Sequence, residues 1–258
     1  MLDLKIRLLA AAAIAVWAAA VPSHADRLSF STGAEYSVGD YGDPEDTTVW
    51  YEYLSARYSM SPWAFKVTVP FLQIDGPASV TDDGEVEGGG ATRMESGIGD
   101  VSLSSTYTFS WKPENLHLDL MGRVRLPTGD EDRGLGTGEV DYGLIATLEK
   151  GFDGISVNIK GGRRFLGDSG GRNREDGWLA GAGLSVDLSK ETEIGTSIDW
   201  REAAFATSTD PADIDIYVRH SLTKDLRVNV YALAGLSDGS PNFGTGFSLT
   251  WTAYRSDD

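Results

Sequence analysis

The chain has 258 residues, with 22 lysines and arginines against 39 aspartates and glutamates, a formal net charge of −17 and no cysteine. That balance argues against a nucleic-acid partner, which calls for a basic face. The missing cysteines exclude a disulfide framework and a thiolate metal site. Beyond residue 25 no apolar run approaches the ~18 residues that mark a membrane-crossing helix.

Residues 1–25 have the layout of a cleaved secretory signal. Lys5 and Arg7 form a charged start, "LLAAAAIAVWAAAV" is the apolar stretch, and "SHA" (Ser23 to Ala25) is a small-x-small cleavage site. A membrane anchor is the alternative, but the stretch is short of the ~20 residues that a spanning helix needs. The mature chain is expected to cover residues 26–258 as one domain, with no linker-like segment dividing it.

From residue 26 onward the apolar residues recur with period two rather than 3.6, the mark of strands. In "LHLDLMGRVRL", Leu116, Leu118, Leu120, Val124 and Leu126 share one face, while His117, Asp119, Arg123 and Arg125 share the other. The pattern predicts twelve strands near 27–38, 48–59, 63–74, 97–111, 116–126, 138–152, 155–166, 177–188, 193–203, 212–222, 226–237 and 244–254. Most reach the ~9–11 residues with which a tilted strand crosses a bilayer.

The connections alternate. "MSP", "KPEN", "DG", "KET" and "TKD" are tight, whereas 39–47, 75–96, 127–137, 167–176, 204–211 and 238–243 are longer. Short turns on one side and long loops on the other characterise outer-membrane barrels, and an even strand number puts both termini on the short-turn, periplasmic side. Three turns test the facing, because directly paired residues of a hairpin point the same way. Asp153-Gly154 would pair Phe152 with Ile155, "KPEN" would pair Trp111 with Leu116, and "TKD" would pair Leu222 with Leu226. Each joins apolar to apolar. Trp63, Trp111, Phe152 and Trp251 fall toward the short-turn side, and Phe71, Tyr142, Trp178, Trp200 and Phe247 toward the long-loop side. Two such aromatic belts suit the two lipid–water boundaries. The fold expected is an all-β, antiparallel, up-and-down transmembrane barrel. A secreted soluble barrel or sandwich, its apolar face inward, is the alternative, but it would not force the loop lengths to alternate.

"VRLPTGDEDRGLGTGEVDYG", residues 124–143, invites comparison with a phosphate-binding loop. Such a loop needs a helix N-terminus behind it, and the following "EVDYGLIATLE" alternates as a strand does. A surface loop is expected instead, with Pro127 ending the strand and glycines at positive φ. Together with "SGIGDVSLSSTYTF", this stretch resembles the outer-membrane barrel family associated with the meta-pathway of phenol degradation. The resemblance lies in residues 96–143 and rests on Gly97, Gly99, Asp100, Leu126, Pro127, Thr128, Gly129, Asp130, Gly136, Gly138, Asp141 and Tyr142. It implies an outer-membrane β-barrel with an uptake role and no catalytic residues, and it does not identify the solute.

If the apolar face meets lipid, the polar face lines the lumen. Arg123, Arg125, Asp141, Arg164, Asp199, Arg201, Asp213 and Asp215 then lie toward the long-loop end, as a candidate charged constriction. A symmetric hairpin across 127–137 would set Arg123 opposite Asp141. The same charges could instead fill a narrow barrel, since twelve strands enclose less than the 16–18-stranded porins do. The acidic outer loops are expected to be solvated, without an EF-hand pattern for calcium. The mature chain keeps His117 and His220, both near the periplasmic end, which does not suit a hydrolase of the outer rim. The sequence thus points to a channel or transporter-like barrel for small, anionic or aromatic solutes. The alternative is a non-conducting structural or surface-interaction barrel. No cofactor is called for, and the partners expected are outer-membrane lipid, lipopolysaccharide and the solute.

Overall fold

A computed structural model describes residues 26–81, 86–87, 92–167 and 174–256. Residues 1–25, where a cleaved signal is expected, most of the acidic stretch between 82 and 91, and residues 168–173 and 257–258 lie outside the described residues.

The strands are β1 (Arg27–Gly39), β2 (Thr47–Met60), β3 (Trp63–Gly76), β4 (Ser79–Val80), β5 (Val86–Glu87), β6 (Arg93–Ile98) and β7 (Val101–Trp111). They continue with β8 (Leu116–Leu126), β9 (Asp141–Phe152), β10 (Ile155–Phe165), β11 (Gly177–Asp187), β12 (Thr192–Arg201), β13 (Ala212–Ser221), β14 (Leu226–Gly235) and β15 (Phe243–Arg255). Each long strand pairs antiparallel with the next, and β15 pairs back onto β1, so the sheet closes. Counting β6 and β7 as one interrupted strand gives the twelve staves of the barrel. Closure leaves no exposed sheet edge, which is what a bilayer demands of strands.

Alternation dictates the facing. Leu120, Leu144, Leu148, Ile159, Ile214, Ile216 and Val230 stand exposed on the outer surface, with Leu144 at 61 %. Their odd- or even-numbered neighbours point inward. The tight turns pair as the sequence predicts: Phe152 with Ile155 and Trp111 with Leu116. Ser221 with Arg227 continues to Leu222 and Leu226 in the same register. Both aromatic belts are exposed. Around one margin Trp63 meets Tyr107 edge-on at 4.9 Å, and Phe30 stacks on Trp251 at 6.2 Å.

Four features depart from the sequence reading. The predicted strand 97–111 is two pieces, because β3 pairs β6 through Phe71↔Ile98 and β7 through Thr68↔Ser102, one residue out of step. The extra residue is a bulge at Gly99-Asp100, opposite Pro70, which has no N–H to give the ladder. Next, the stretch 127–140 is a surface loop only in part: Asp130 to Arg133 are exposed, but Gly134 to Thr137 are buried. Leu135 is buried at 1 % and packs with Tyr41, Val49, Leu72, Ile74, Ala78 and Val86 inside the outer mouth. The third departure concerns the acidic loop between β3 and β6. It is solvated only in part: Ala78, Thr81, Val86 and Glu87 are all buried. The cause is visible at the outer ends of β2 and β3, where Val49, Leu72 and Ile74 give the inward face an apolar surface that needs cover. Burial here also pushes the Tyr41 hydroxyl up to about 12.

The fourth departure is register. Arg125, not Arg123, sits opposite Asp141, and Arg123 sits opposite Gly143. β9 begins at Asp141 rather than at 138, because Thr137 to Val140 belong to the inward-folded loop. A shift of two residues preserves facing, so all three side chains still point inward.

Candidate functional site

The outer third of the lumen is built around two buried carboxylates. Asp100, 3 % exposed, occupies the bulge between β6 and β7. Its carboxylate accepts hydrogen bonds from the Gly129 N–H (2.9 Å), the Thr137 N–H (2.9 Å) and the Thr137 hydroxyl (3.1 Å). Thr128 ties the same seam, donating to the Gly99 carbonyl (2.8 Å) and accepting from the Val101 N–H (2.9 Å). The two glycine-rich motifs are therefore the halves of one clasp. A Cβ on Gly136 would lie 2.4 Å from an Asp100 oxygen, and one on Gly129 would lie 2.4 Å from the Leu135 carbonyl oxygen. A Cβ on Gly97 would lie 2.9 Å from the Leu135 side chain, and one on Gly99 2.6 Å from that of Leu72. Gly134 and Gly138 have φ of 68° and 73°, the left-handed region that favours glycine. Asp130 holds the tip, its carbonyl accepting from the Leu135 N–H (3.0 Å) and its carboxylate from the Arg133 N–H (3.2 Å).

Asp141 is the second carboxylate. Arg174 grips it with two hydrogen bonds, 2.7 Å to Oδ1 and 2.9 Å to Oδ2. Arg125 donates to Oδ2 through both Nε and Nη2, and the Gly167 N–H adds 2.9 Å to Oδ1. Both arginines also donate to the carbonyl oxygen of Thr81, in the loop that folds in from β3. One buried cluster thus joins the wall strands β8 and β9 to two different loops. Fork-to-carboxylate bonds of this kind are strong and directional. Sequence reading missed Arg174, which lies in the short "RNRED" run before β11 and shows no periodicity. Nothing in the sequence separates it from Arg93, Arg133 and Arg172 in or beside the same long connections.

The remaining charges line open space. Arg123, Lys160, Arg164, Asp199, Arg201 and Asp213 face one cavity of about 220 Å³. Lys160 pairs with Asp199 at 2.7 Å. Asp213 sits directly across from Asp199, and Asp215 across from Ser197, whose hydroxyl donates to it. Arg164 is 1 % exposed and donates to the Glu202 carbonyl. The eight residues singled out by sequence therefore separate into two sets. Arg125 and Asp141 hold loops in place, while most of the others border water-sized space. His117 meets Ser110 at 3.0 Å and His220 meets Thr192 at 2.8 Å. They lie on strands β8 and β13, far along the wall from this cavity.

A closed twelve-stave barrel with an apolar outside, a charged lumen and a motif clasp at one bulge can be compared with known proteins. Residues 25–253 match the protein family described as "Putative MetA-pathway of phenol degradation". The chain belongs to that family. Its fold is similar to that of the COG4313 outer membrane channel from Pseudomonas putida F1, with a TM-score of 0.73, 16 % identity, and 90 % of this chain and 97 % of that one covered. The KdgM porin is similar at a TM-score of 0.57 and 7 % identity, over 87 % of this chain and 99 % of that one. The translocator domain of the autotransporter NalP from Neisseria meningitidis is similar at 0.55 and 11 %, over 96 % and 95 %. No curated protein sequence matches the chain. This member of the family has the fold of an outer-membrane β-barrel.

Proposed function

We propose that the protein is a passive outer-membrane channel for small solutes. The observation that carries this reading is the 220 Å³ cavity, bordered by Arg123, Lys160, Arg164, Asp199, Arg201 and Asp213, inside a barrel whose outer surface is apolar. Charges facing one another across such a space set ion and solute preference. Arg123 and Lys160, which border this cavity, are the basic residues expected to bias the field. The name of the COG4313 channel, and the family's link to phenol degradation, agree with small-solute passage. We infer in addition that residues 1–25 are a cleaved export signal and that residues 26–258 form the outer-membrane domain, contacting lipid and lipopolysaccharide through the belts. Supporting this boundary, Asp26 already belongs to the barrel seam: its N–H donates to Ser256 (2.7 Å) and its carboxylate accepts from Tyr58 (2.6 Å).

Single-channel recording of the protein in planar bilayers tests the reading. Conductance is expected, and replacing Arg123 and Lys160 together by glutamine should move the reversal potential toward cations in a salt gradient. A second reading is favoured by the Asp141 cluster, which seals part of the outer mouth: a barrel that does not conduct. Absence of conductance in a correctly folded barrel would select it. N-terminal sequencing of the exported protein should begin at Asp26.

A further inference from the structure

Among the described strand residues, one lysine or arginine faces outward in the long-loop half of the barrel. It is Arg163 on β10. It shares its parity with Ile155, Val157, Ile159 and Phe165, all exposed on the apolar outer surface. Its direct cross-strand partners are Leu144 on β9 and Trp178 on β11. Phe165, two residues nearer the long loops, pairs with Tyr142. Arg163 therefore sits at the outer aromatic belt, beside Tyr142 and Trp178.

The guanidinium is held without being neutralised. Its carbon lies 4.9 Å from the centroid of the Trp178 ring and 5.9 Å from that of Phe165. A cation over a ring face is attracted by the π cloud, most strongly by an indole. No carboxylate among the described residues pairs with it. The acids at the neighbouring strand ends are committed to backbone: Asp176 accepts from the Leu166 N–H (2.9 Å) and Glu202 from the Trp178 N–H (2.8 Å). Inward-facing cations differ, since Arg125, Lys160 and Arg219 each meet a carboxylate. The other margin offers a second contrast. Lys150 also faces outward, 5.8 Å from the Phe152 ring centroid, but it donates to the Glu114 carbonyl.

Depth and chemistry point to an anion from the membrane itself. A charge on the lipid face is costly at mid-membrane and nearly neutral at the boundary. A long side chain there keeps its stem in the apolar layer and its head among the headgroups. On the long-loop side those headgroups are the outer leaflet's, where lipopolysaccharide carries phosphates on the sugars that bear its acyl chains. A guanidinium presents a planar fork of donors that matches a phosphate. Stacking on Trp178 fixes the plane of that fork and leaves its edge for the anion. Tyr142, 54 % exposed, and Trp178, 52 % exposed, bring a hydroxyl and an indole N–H to the same surface.

We propose that Arg163, stacked on Trp178, binds a phosphate of outer-leaflet lipopolysaccharide, with Tyr142 and Trp178 as further donors. The acyl chains of the same lipid lie against Leu144 and Ile159 below. This site deepens the reading of residues 26–258 as a lipid-embedded domain and rests on it.

The test is equilibrium binding of lipid A to the detergent-solubilised barrel, comparing lipid A that carries two phosphates with lipid A stripped of both. EDTA is present, so that divalent cations cannot bridge the phosphates to Asp176 or Glu202. The phosphorylated form should bind about three- to tenfold more tightly. Arg163→Gln should remove most of that advantage, Arg163→Lys should keep part of it, and Lys150→Gln should leave it intact. Inorganic phosphate at millimolar concentration should not displace the lipid. Heat-modifiable gel mobility reports that each variant is folded, and the wild-type comparison of the two lipids stands without any variant. Equal binding of the two lipids, or a phosphate advantage unchanged in Arg163→Gln, would overturn the site. Displacement by inorganic phosphate would overturn it in favour of a free-anion site. Recovery of the protein outside the outer-membrane fraction would overturn the membrane reading, whereas correct insertion without phosphate preference would overturn the site alone.

Discussion

The two ends of the barrel are closed in different ways. At the periplasmic end, neighbouring staves meet through turns such as Asp153-Gly154 and the 3-10 turn Lys112–Glu114, and the contacts join adjacent staves, including Asp26 with Ser256 across the seam of β1 and β15. At the outer end the connections fold back and are held by residues far away in the chain: Asp100 by Thr137, Asp141 by Arg174, Thr81 by Arg174. Local closure rests on conformational preference, and remote closure rests on buried polar groups that must all be satisfied. The first tolerates change and the second does not.

The largest effect should come from removing a carboxylate at the outer end. Asp141→Ala leaves Arg125 and Arg174 buried without their carboxylate, with only the Thr81 carbonyl of the cluster still accepting, a loss of ~3–5 kcal/mol by analogy with other broken buried pairs. It should appear as a lower denaturant midpoint for the refolded barrel; a midpoint unchanged from wild type would show that water replaces the carboxylate and that the outer closure is not remote. Between the two ends, Leu120→Arg places a charge on the lipid face and should cost ~2–4 kcal/mol of folding from lipid, falling toward the belts. If it were neutral while an apolar change at Asp119 were severe, the facing would be inverted.

Two glycine-to-alanine changes compare the ends directly. At the outer clasp, Gly136→Ala forces a methyl to 2.4 Å from the Asp100 carboxylate and should cost ~1–3 kcal/mol as an overpacked site does. At the periplasmic turn, Gly154 has φ of 72° but open space around a Cβ. Gly154→Ala should cost only the ~1–2 kcal/mol of a left-handed alanine. Equal costs in parallel denaturation curves would erase the distinction between packing at one end and conformation at the other.

What could be read from the sequence follows the same division. Strand positions, facing, belts and turn pairings rest on period-two alternation and on turn residues, both local. The alternation around Leu116 to Leu126 therefore placed Arg123 and Arg125 on the inward face without any knowledge of their partners. The Arg125–Asp141 pairing was missed by two residues, because hairpin register across a long loop depends on how many loop residues turn inward. Arg174 was missed because nothing within its own segment distinguishes it. The inward fold of Ala78 to Glu87 did leave a trace: "FLQI" in β3 is apolar on both faces at its outer end, Phe71 outward and Leu72 and Ile74 inward. A stave apolar on both sides needs a second layer, and here the loops supply it. The clasp was visible as a motif, but its chemistry became clear only when the bulge placed Asp100 against Gly129 and Thr137.

The Thr81 carbonyl is gripped by side chains that come later in the chain, Arg125 from β8 and Arg174 from beyond β10, 93 residues away. Neither arginine lies on a strand next to Thr81, so the loop is drawn inward only where β8, β9 and the segment before β11 come together. The two side chains act as a latch between parts of the chain 44 and 93 residues apart, and the outer mouth takes its shape from the closed sheet as a whole rather than from any one hairpin.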